Sequence, residues 1–123
     1  MPEGKHLVDT HSDLAAKHCV PCHGGTPALA GAELNQFAAQ LPEWKVIDSH
    51  HIERAFKFPD FVSALAFVNQ IGAVAEREGH HPDLTLGWGR VQVVTYTHAI
   101  KGLSQSDFIL AAKIDQLYPQ PVA

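Results

Sequence analysis

The most constraining feature of this sequence is the segment 61–78, in which apolar residues recur at the spacing of one helix face. These residues are Phe61, Ala64, Leu65, Val68, Ile71 and Ala75. The spacing predicts a long amphipathic helix, with Asp60 as its N-cap and Gly79 as its stop. Gly72 costs a helix interior about 1 kcal/mol relative to alanine, so we expect another helix to pack closely against it.

The segments on either side of this helix predict pairs of β-strands. Alternating or β-branched residues predict strands at 44–48, 51–58, 84–88 and 90–98. Helical spacing predicts a further helix at 32–40, and a capping box at 104–107 begins a last one. The order α-β-β-α-β-β-α predicts an α+β fold, with a single four-stranded antiparallel sheet and three helices packed on one face. Residues 1–31 are expected to form an irregular extension, 32–119 the domain and 120–123 a tail.

The composition excludes several classes of protein. With 123 residues and 46% hydrophobic content, the chain suits one globular domain. A formal net charge of −4 carries no electrostatic footprint for nucleic acid or for an anionic membrane. No apolar run approaches the roughly 20 residues of a membrane span. The N-terminus lacks the basic and apolar regions of a secretory signal, so a cytoplasmic location is expected.

A Cys-x-x-Cys-His motif at 19–23 raises the question of covalently bound haem. Haem is disfavoured, because the only methionine is Met1 and the remaining chain is rich in predicted strands. Two interpretations remain open: a surface loop with two thiols, or a metal or redox site. A structural zinc site requires four ligands, so Cys19 and Cys22 would need to recruit histidines, such as His18 and His23.

The stronger indication of chemistry is a group of histidines at the ends of predicted elements. His80 and His81 follow the long helix directly and precede Pro82, His98 ends the last predicted strand, and Asp107 lies in the first turn of the last helix. Histidine exchanges protons near neutral pH, and a carboxylate holds an imidazole in one tautomer. Taken singly, each of these histidines is more simply a surface or capping residue.

The segment 76–118 resembles the pterin-4a-carbinolamine dehydratase family. The resemblance is carried by the His-His-Pro motif at 80–82, by His98 and by Asp107 nine residues later. The segments 41–44 and 56–61 are also similar to the family, and the likeness covers about residues 12–118. One departure is Leu84, which stands where many members have tryptophan; the nearby aromatic residue here is Trp88.

The resemblance implies loss of water from a 4a-hydroxytetrahydropterin, giving quinonoid dihydropterin without metal or cofactor. It implies that His80, His81 and His98 are the active-site histidines, with His80 and His98 transferring protons and His81 orienting the substrate. Asp107 would orient a histidine. Further substrate-binding positions implied in this way are Trp44, Glu78, Pro82 and Trp88.

The resemblance also bears on partners. It implies a homodimer or homotetramer, with helices 61–78 packed together, and places an aromatic amino-acid hydroxylase in the same pathway of tetrahydrobiopterin recycling. Some relatives act instead as a dimerisation cofactor or in assembly, so a protein-interaction module is the alternative function. Because such relatives can lose the histidines, retention of all three favours the enzyme.

Overall fold

The structure is a computed structural model that describes residues 14–20 and 26–119. Its helices are α1 (Gly31–Ala39), α2 (Phe61–Glu78) and α3 (Gln105–Leu117), and its strands are β1 (Lys45–Ile47), β2 (His51–Lys57), β3 (Asp83–Gly87) and β4 (Arg90–Thr95). The strands form one antiparallel sheet in the order β1-β2-β4-β3. The predicted α+β class and the order of the elements are confirmed.

Alternation along the two central strands determines which face of the sheet is covered. Ile52 and Phe56 of β2 pair with Thr95 and Val91 of β4, and all four are buried. Their side chains point to the face covered by the helices, because successive strand residues point to opposite faces. The core between the layers includes Phe67, Ile71, Phe108, Leu110 and Ile114.

The predicted ends of α2 agree with the structure. Asp60 accepts a hydrogen bond from the Ser63 amide at 2.8 Å, and Gly79 adopts a left-handed conformation with φ of 67°. The amides of Gly79 and His80 both donate to the carbonyl of Ala75. This cap turns the chain sharply and directs the residues after α2 toward the start of β3.

Three expectations differ from the structure. β4 ends at Thr95, so His98 does not end a strand but begins a short 3-10 helix, His98–Ile100. Residues 14–16, expected to be irregular, are helical, and Leu14 is part of the core. A Cβ atom at Gly72 would meet nothing within 4 Å in the described residues, so no helix among them packs closely against it.

Within residues 14–20 and 26–119, no helix is long and apolar enough to cross a membrane.

Candidate active site

Asp107 is the centre of a buried polar network where α3 begins. Its side chain has no solvent exposure and accepts hydrogen bonds from the hydroxyl groups of Thr95 and Thr97, both at 2.8 Å. The backbone amide of Ser104 donates to it at 2.9 Å, which completes the predicted capping box. A buried carboxylate is costly unless it is hydrogen-bonded, and these donors together with the N-terminus of α3 satisfy it.

His80 is the histidine that this carboxylate holds. Its Nε2 lies 2.6 Å from Asp107 Oδ1, and its side chain is 13% exposed. Since a carboxylate only accepts hydrogen bonds, Nε2 carries the ring hydrogen and donates a hydrogen bond to Asp107. Nδ1 is then the ring nitrogen left to exchange a proton with a ligand.

The other two predicted histidines have different surroundings. His81 is 59% exposed, and its Nε2 lies 2.5 Å from the carboxylate of Glu76 on the last turns of α2. His98 is exposed, and its ring lies against that of Tyr96, with 4.2 Å between the ring centroids. His98 directly follows Thr97 in the chain. The hydroxyl of Thr97 donates to the Asp107 carboxylate, which also holds His80, so Thr97 links the position of His98 to that carboxylate.

The Glu78 side chain is buried and contacts residues that precede α1. Its side chain is 2% exposed, accepts a hydrogen bond from the Cys19 amide at 2.9 Å and lies 3.1 Å from His18 Nδ1. Burial raises the pKa of Glu78, but this hydrogen bond, His18 and the Lys113 ammonium outweigh it, so the pKa lies below its ordinary value.

The structure does not bring the two tryptophans to the histidines. Trp44 is buried in the core, where its Nε1 donates to Asp115 at 2.9 Å, two turns along α3 from Asp107. Trp88 is 71% exposed in the turn between β3 and β4, at the opposite end of this hairpin from Asp83. Pro82, in contrast, directly follows His81 and is half-buried.

The possible metal site at Cys19 and Cys22 is only partly described, because Cys22 and His23 lie outside the described residues. Burial, reinforced by the charge of Glu78, raises the pKa of the Cys19 thiol to about 11. Its Sγ donates to the Ser106 carbonyl at 3.4 Å. Among residues 14–20 and 26–119, no group of three or more His, Cys, Asp or Glu side chains is arranged to hold a metal ion.

Sequence reasoning missed the residues that hold the site together. Thr95 and Thr97 bind Asp107, and Ser104 Oγ lies 2.7 Å from Thr97 Oγ1. The sequence does contain a signal for them, because Thr95 and Thr97 are two residues apart at the end of the last predicted strand. That period places both side chains on one side of the chain, where a buried hydroxyl requires a partner.

These features define a class of protein: an α+β domain that carries a carboxylate-held histidine where its helices meet the end of the sheet. A family profile for pterin 4 alpha carbinolamine dehydratase matches residues 27–117. The chain belongs to that family.

Individual relatives agree with this assignment. A protein of Rubrobacter xylanophilus that carries the provisional name pterin-4-alpha-carbinolamine dehydratase is 54% identical over 86% of this chain and 99% of its own. A crystal structure from Brucella melitensis, described as a transcriptional coactivator/pterin dehydratase, superposes with a TM-score of 0.71 at 32% identity, covering 76% of this chain and 100% of that one. A pterin dehydratase-like assembly factor for RuBisCO in the alpha-carboxysome shares the fold, with a TM-score of 0.54 at 22% identity over 61% of this chain and 88% of its own.

Proposed function

We propose that this protein dehydrates a 4a-hydroxytetrahydropterin to quinonoid dihydropterin. The bond between C4a and the hydroxyl oxygen breaks, and the hydroxide leaves as water after it receives a proton. The proton on N5 is removed, and the N5 electron pair forms the double bond to C4a. The reaction thus needs one proton donor and one proton acceptor, and we propose that it uses no cofactor.

The observation that carries this proposal is the hydrogen bond of 2.6 Å between His80 and the buried Asp107. It fixes the ring orientation and leaves Nδ1 to exchange a proton, and the carboxylate offsets the charge of the ring when His80 holds a second proton. His98 is assigned the complementary proton transfer, and exposed His81 the orientation of the substrate. A positioned acid or base of this kind contributes about 10²–10⁴ in rate.

The place of the reaction follows from its substrate. A 4a-hydroxytetrahydropterin is the product that aromatic amino-acid hydroxylases release in each turnover, so we assign the protein to tetrahydrobiopterin recycling after such a hydroxylase. The family to which the chain belongs and the names of its relatives support the dehydration of a pterin carbinolamine, from which this place is inferred.

The test is the decay of enzymatically generated 4a-carbinolamine, followed with and without the protein. We expect His80→Ala to lower the catalysed rate about 10²–10⁴-fold, and the double substitution of His80 and His98 by alanine to abolish catalysis. His51→Ala is the control, because it removes a histidine that has no assigned role. Unchanged turnover in the double variant would eliminate the assignment of both histidines.

A protein-interaction module is the second candidate function. Two structural neighbours, described as a transcriptional coactivator/pterin dehydratase and as a RuBisCO assembly factor, favour it. The same assay separates the two candidates, because an interaction module leaves the spontaneous decay of the carbinolamine unchanged.

A further inference from the structure

Residues 14–20, here called the N-terminal brace, lie against the two helices that carry the candidate site. Leu14 is 1% exposed and belongs to the core. The ammonium group of Lys113, on α3, donates to the carbonyl of Ala15 at 2.7 Å. The family profile begins at residue 27, although the resemblance extends back to about residue 12, so the brace is not part of the profile.

The first attachment of the brace is to the end of α2. The Glu78 carboxylate accepts from the Cys19 amide at 2.9 Å and pairs with His18 at 3.1 Å. Lys113 Nζ lies 3.6 Å from the same carboxylate, which connects α2 to α3 as well. Glu78 stands only two residues before His80.

The second attachment is to the first turn of α3. Ser106 Oγ accepts a hydrogen bond from the Val20 amide at 3.0 Å and donates one to the Val20 carbonyl at 3.1 Å. The Ser106 carbonyl accepts from Cys19 Sγ at 3.4 Å. Ser106 is 1% exposed and immediately precedes Asp107.

The two attachments therefore lie beside the two partners of the central hydrogen bond. His80 follows the left-handed cap at Gly79, and Asp107 belongs to a different helix, so their distance depends on how the end of α2 sits against the start of α3. We propose that the N-terminal brace holds the end of α2 and the start of α3 in a fixed position relative to each other. Ser106 and Glu78, which bind the brace, thereby act as positioning residues for the His80–Asp107 pair. The expected effect on turnover rests on the proposed function, whereas the expected effect on the geometry of the His80–Asp107 pair does not.

The experiment uses the full chain with Ser106→Ala, which removes both hydrogen bonds between the Ser106 hydroxyl and Val20. Tyr118→Phe is the matched control, because it deletes a side-chain hydrogen bond of 2.9 Å, to the Lys57 carbonyl, at the other end of α3. Two quantities are measured: solvent exchange of the His80 Nε2 proton by NMR, and kcat and KM for carbinolamine dehydration. Thermal unfolding of both variants is recorded, so that they can be compared with allowance for lost stability.

In Ser106→Ala we expect exchange of the His80 proton to become about tenfold faster, because the helix ends separate more often. We expect kcat to fall about tenfold with KM nearly unchanged, because a small misplacement of a catalytic group is costly. Tyr118→Phe should leave exchange, kcat and KM at the wild-type values. If Ser106→Ala does not fold, Lys113→Met is measured in the same way; it removes both the contact with Ala15 and the ion pair with Glu78.

Exchange and turnover in Ser106→Ala that match those of Tyr118→Phe would overturn the proposal, whatever the change in unfolding temperature. If the wild type does not accelerate carbinolamine decay, the proposed function is refuted. Faster His80 exchange in Ser106→Ala would in that case still support the proposal for the brace. If the wild type is active but His80 exchange and kcat are unaltered in Ser106→Ala, the proposal for the brace is refuted and the proposed function is not.

Discussion

At the scale of the residue, Asp107 shows how one side chain serves both the fold and the site. Its carboxylate completes the capping box of α3 with Ser104 and accepts from Thr95 and Thr97. The same carboxylate lies 2.6 Å from His80. Because neutral donors satisfy the buried charge from several sides, the carboxylate keeps its position, and the ring bound to it is held as well.

Glu78 gives a prediction about acid stability. Its pKa is lowered in the folded protein, mainly because the hydrogen bond from the Cys19 amide, His18 and Lys113 outweigh the effect of burial. This contribution to the unfolding free energy is fully present above the ordinary glutamate pKa of about 4.3, and it is lost as pH falls through the lower folded value.

We therefore expect the unfolding free energy of the wild type to fall more steeply below about pH 4.3 than that of Glu78→Gln. Urea denaturation at a series of pH values measures the difference. Glu33→Gln, on the exposed first turn of α1, is the control and should retain the wild-type slope. Parallel curves for the wild type and Glu78→Gln would contradict the prediction.

At the scale of the element, the end of α2 is the feature that positions His80. Gly79 has φ of 67°, and its amide and that of His80 both bond to the Ala75 carbonyl. The chain thus leaves the helix in a direction that brings the His80 ring to Asp107. An ordinary L-residue adopts this conformation only with strain.

Gly79→Ala is expected to lower the unfolding free energy by about 1–2 kcal/mol, because the left-handed conformation brings Cβ too close to the following carbonyl oxygen. Space is not the cause, since in the part of the chain that the structure describes a Cβ atom at this position would meet nothing within 4 Å. Gly79→Asn should cost less, because asparagine adopts this conformation more readily. Urea denaturation of the two variants provides the measurement; equal losses would show that the cap conformation is not the cause.

At the scale of the whole molecule, the first turns of α2 leave an apolar patch exposed. Val62 is 75% exposed, and Phe61 and Leu65 are 43% and 40% exposed. Gly72, whose added Cβ would meet no neighbour within residues 14–20 and 26–119, lies on the same face of α2 as Val62 and Leu65. The family resemblance implies a homodimer or homotetramer with these helices packed together, and this patch is where such a contact is expected.

We predict that Val62→Asp shifts the protein toward the monomer, because it introduces a charge into an apolar contact. Sedimentation equilibrium of the wild type and the variant at matched micromolar concentrations tests this. Asn35→Asp, an exposed site on α1 with the same change in charge, should leave the mass unchanged. A wild type that sediments as a monomer would refute the predicted association.

The sequence by itself determined the order and type of the three helices α1 to α3 and the four strands, as well as the limits of α2. These features depend on interactions within a few residues, such as the periodicity of 61–78, the cap at Asp60 and the glycine at 79. The capping box at Ser104 was predictable for the same reason. The end of β4 could not be predicted in this way. Strand-like residues continue to Thr97, whereas the partner strands pair with β4 only as far as Thr95 and Val94.

Only the tertiary structure decided which predicted site residues meet. His80 and Asp107 are brought together, whereas Trp44 lies in the core against Asp115 and Trp88 lies at the far end of a hairpin. Glu78, for which the resemblance implied a substrate contact, accepts a hydrogen bond from the Cys19 amide. The physical reason is that periodicity assigns a residue to a face of its own element, while contacts between residues 27 or 59 positions apart depend on how the elements pack.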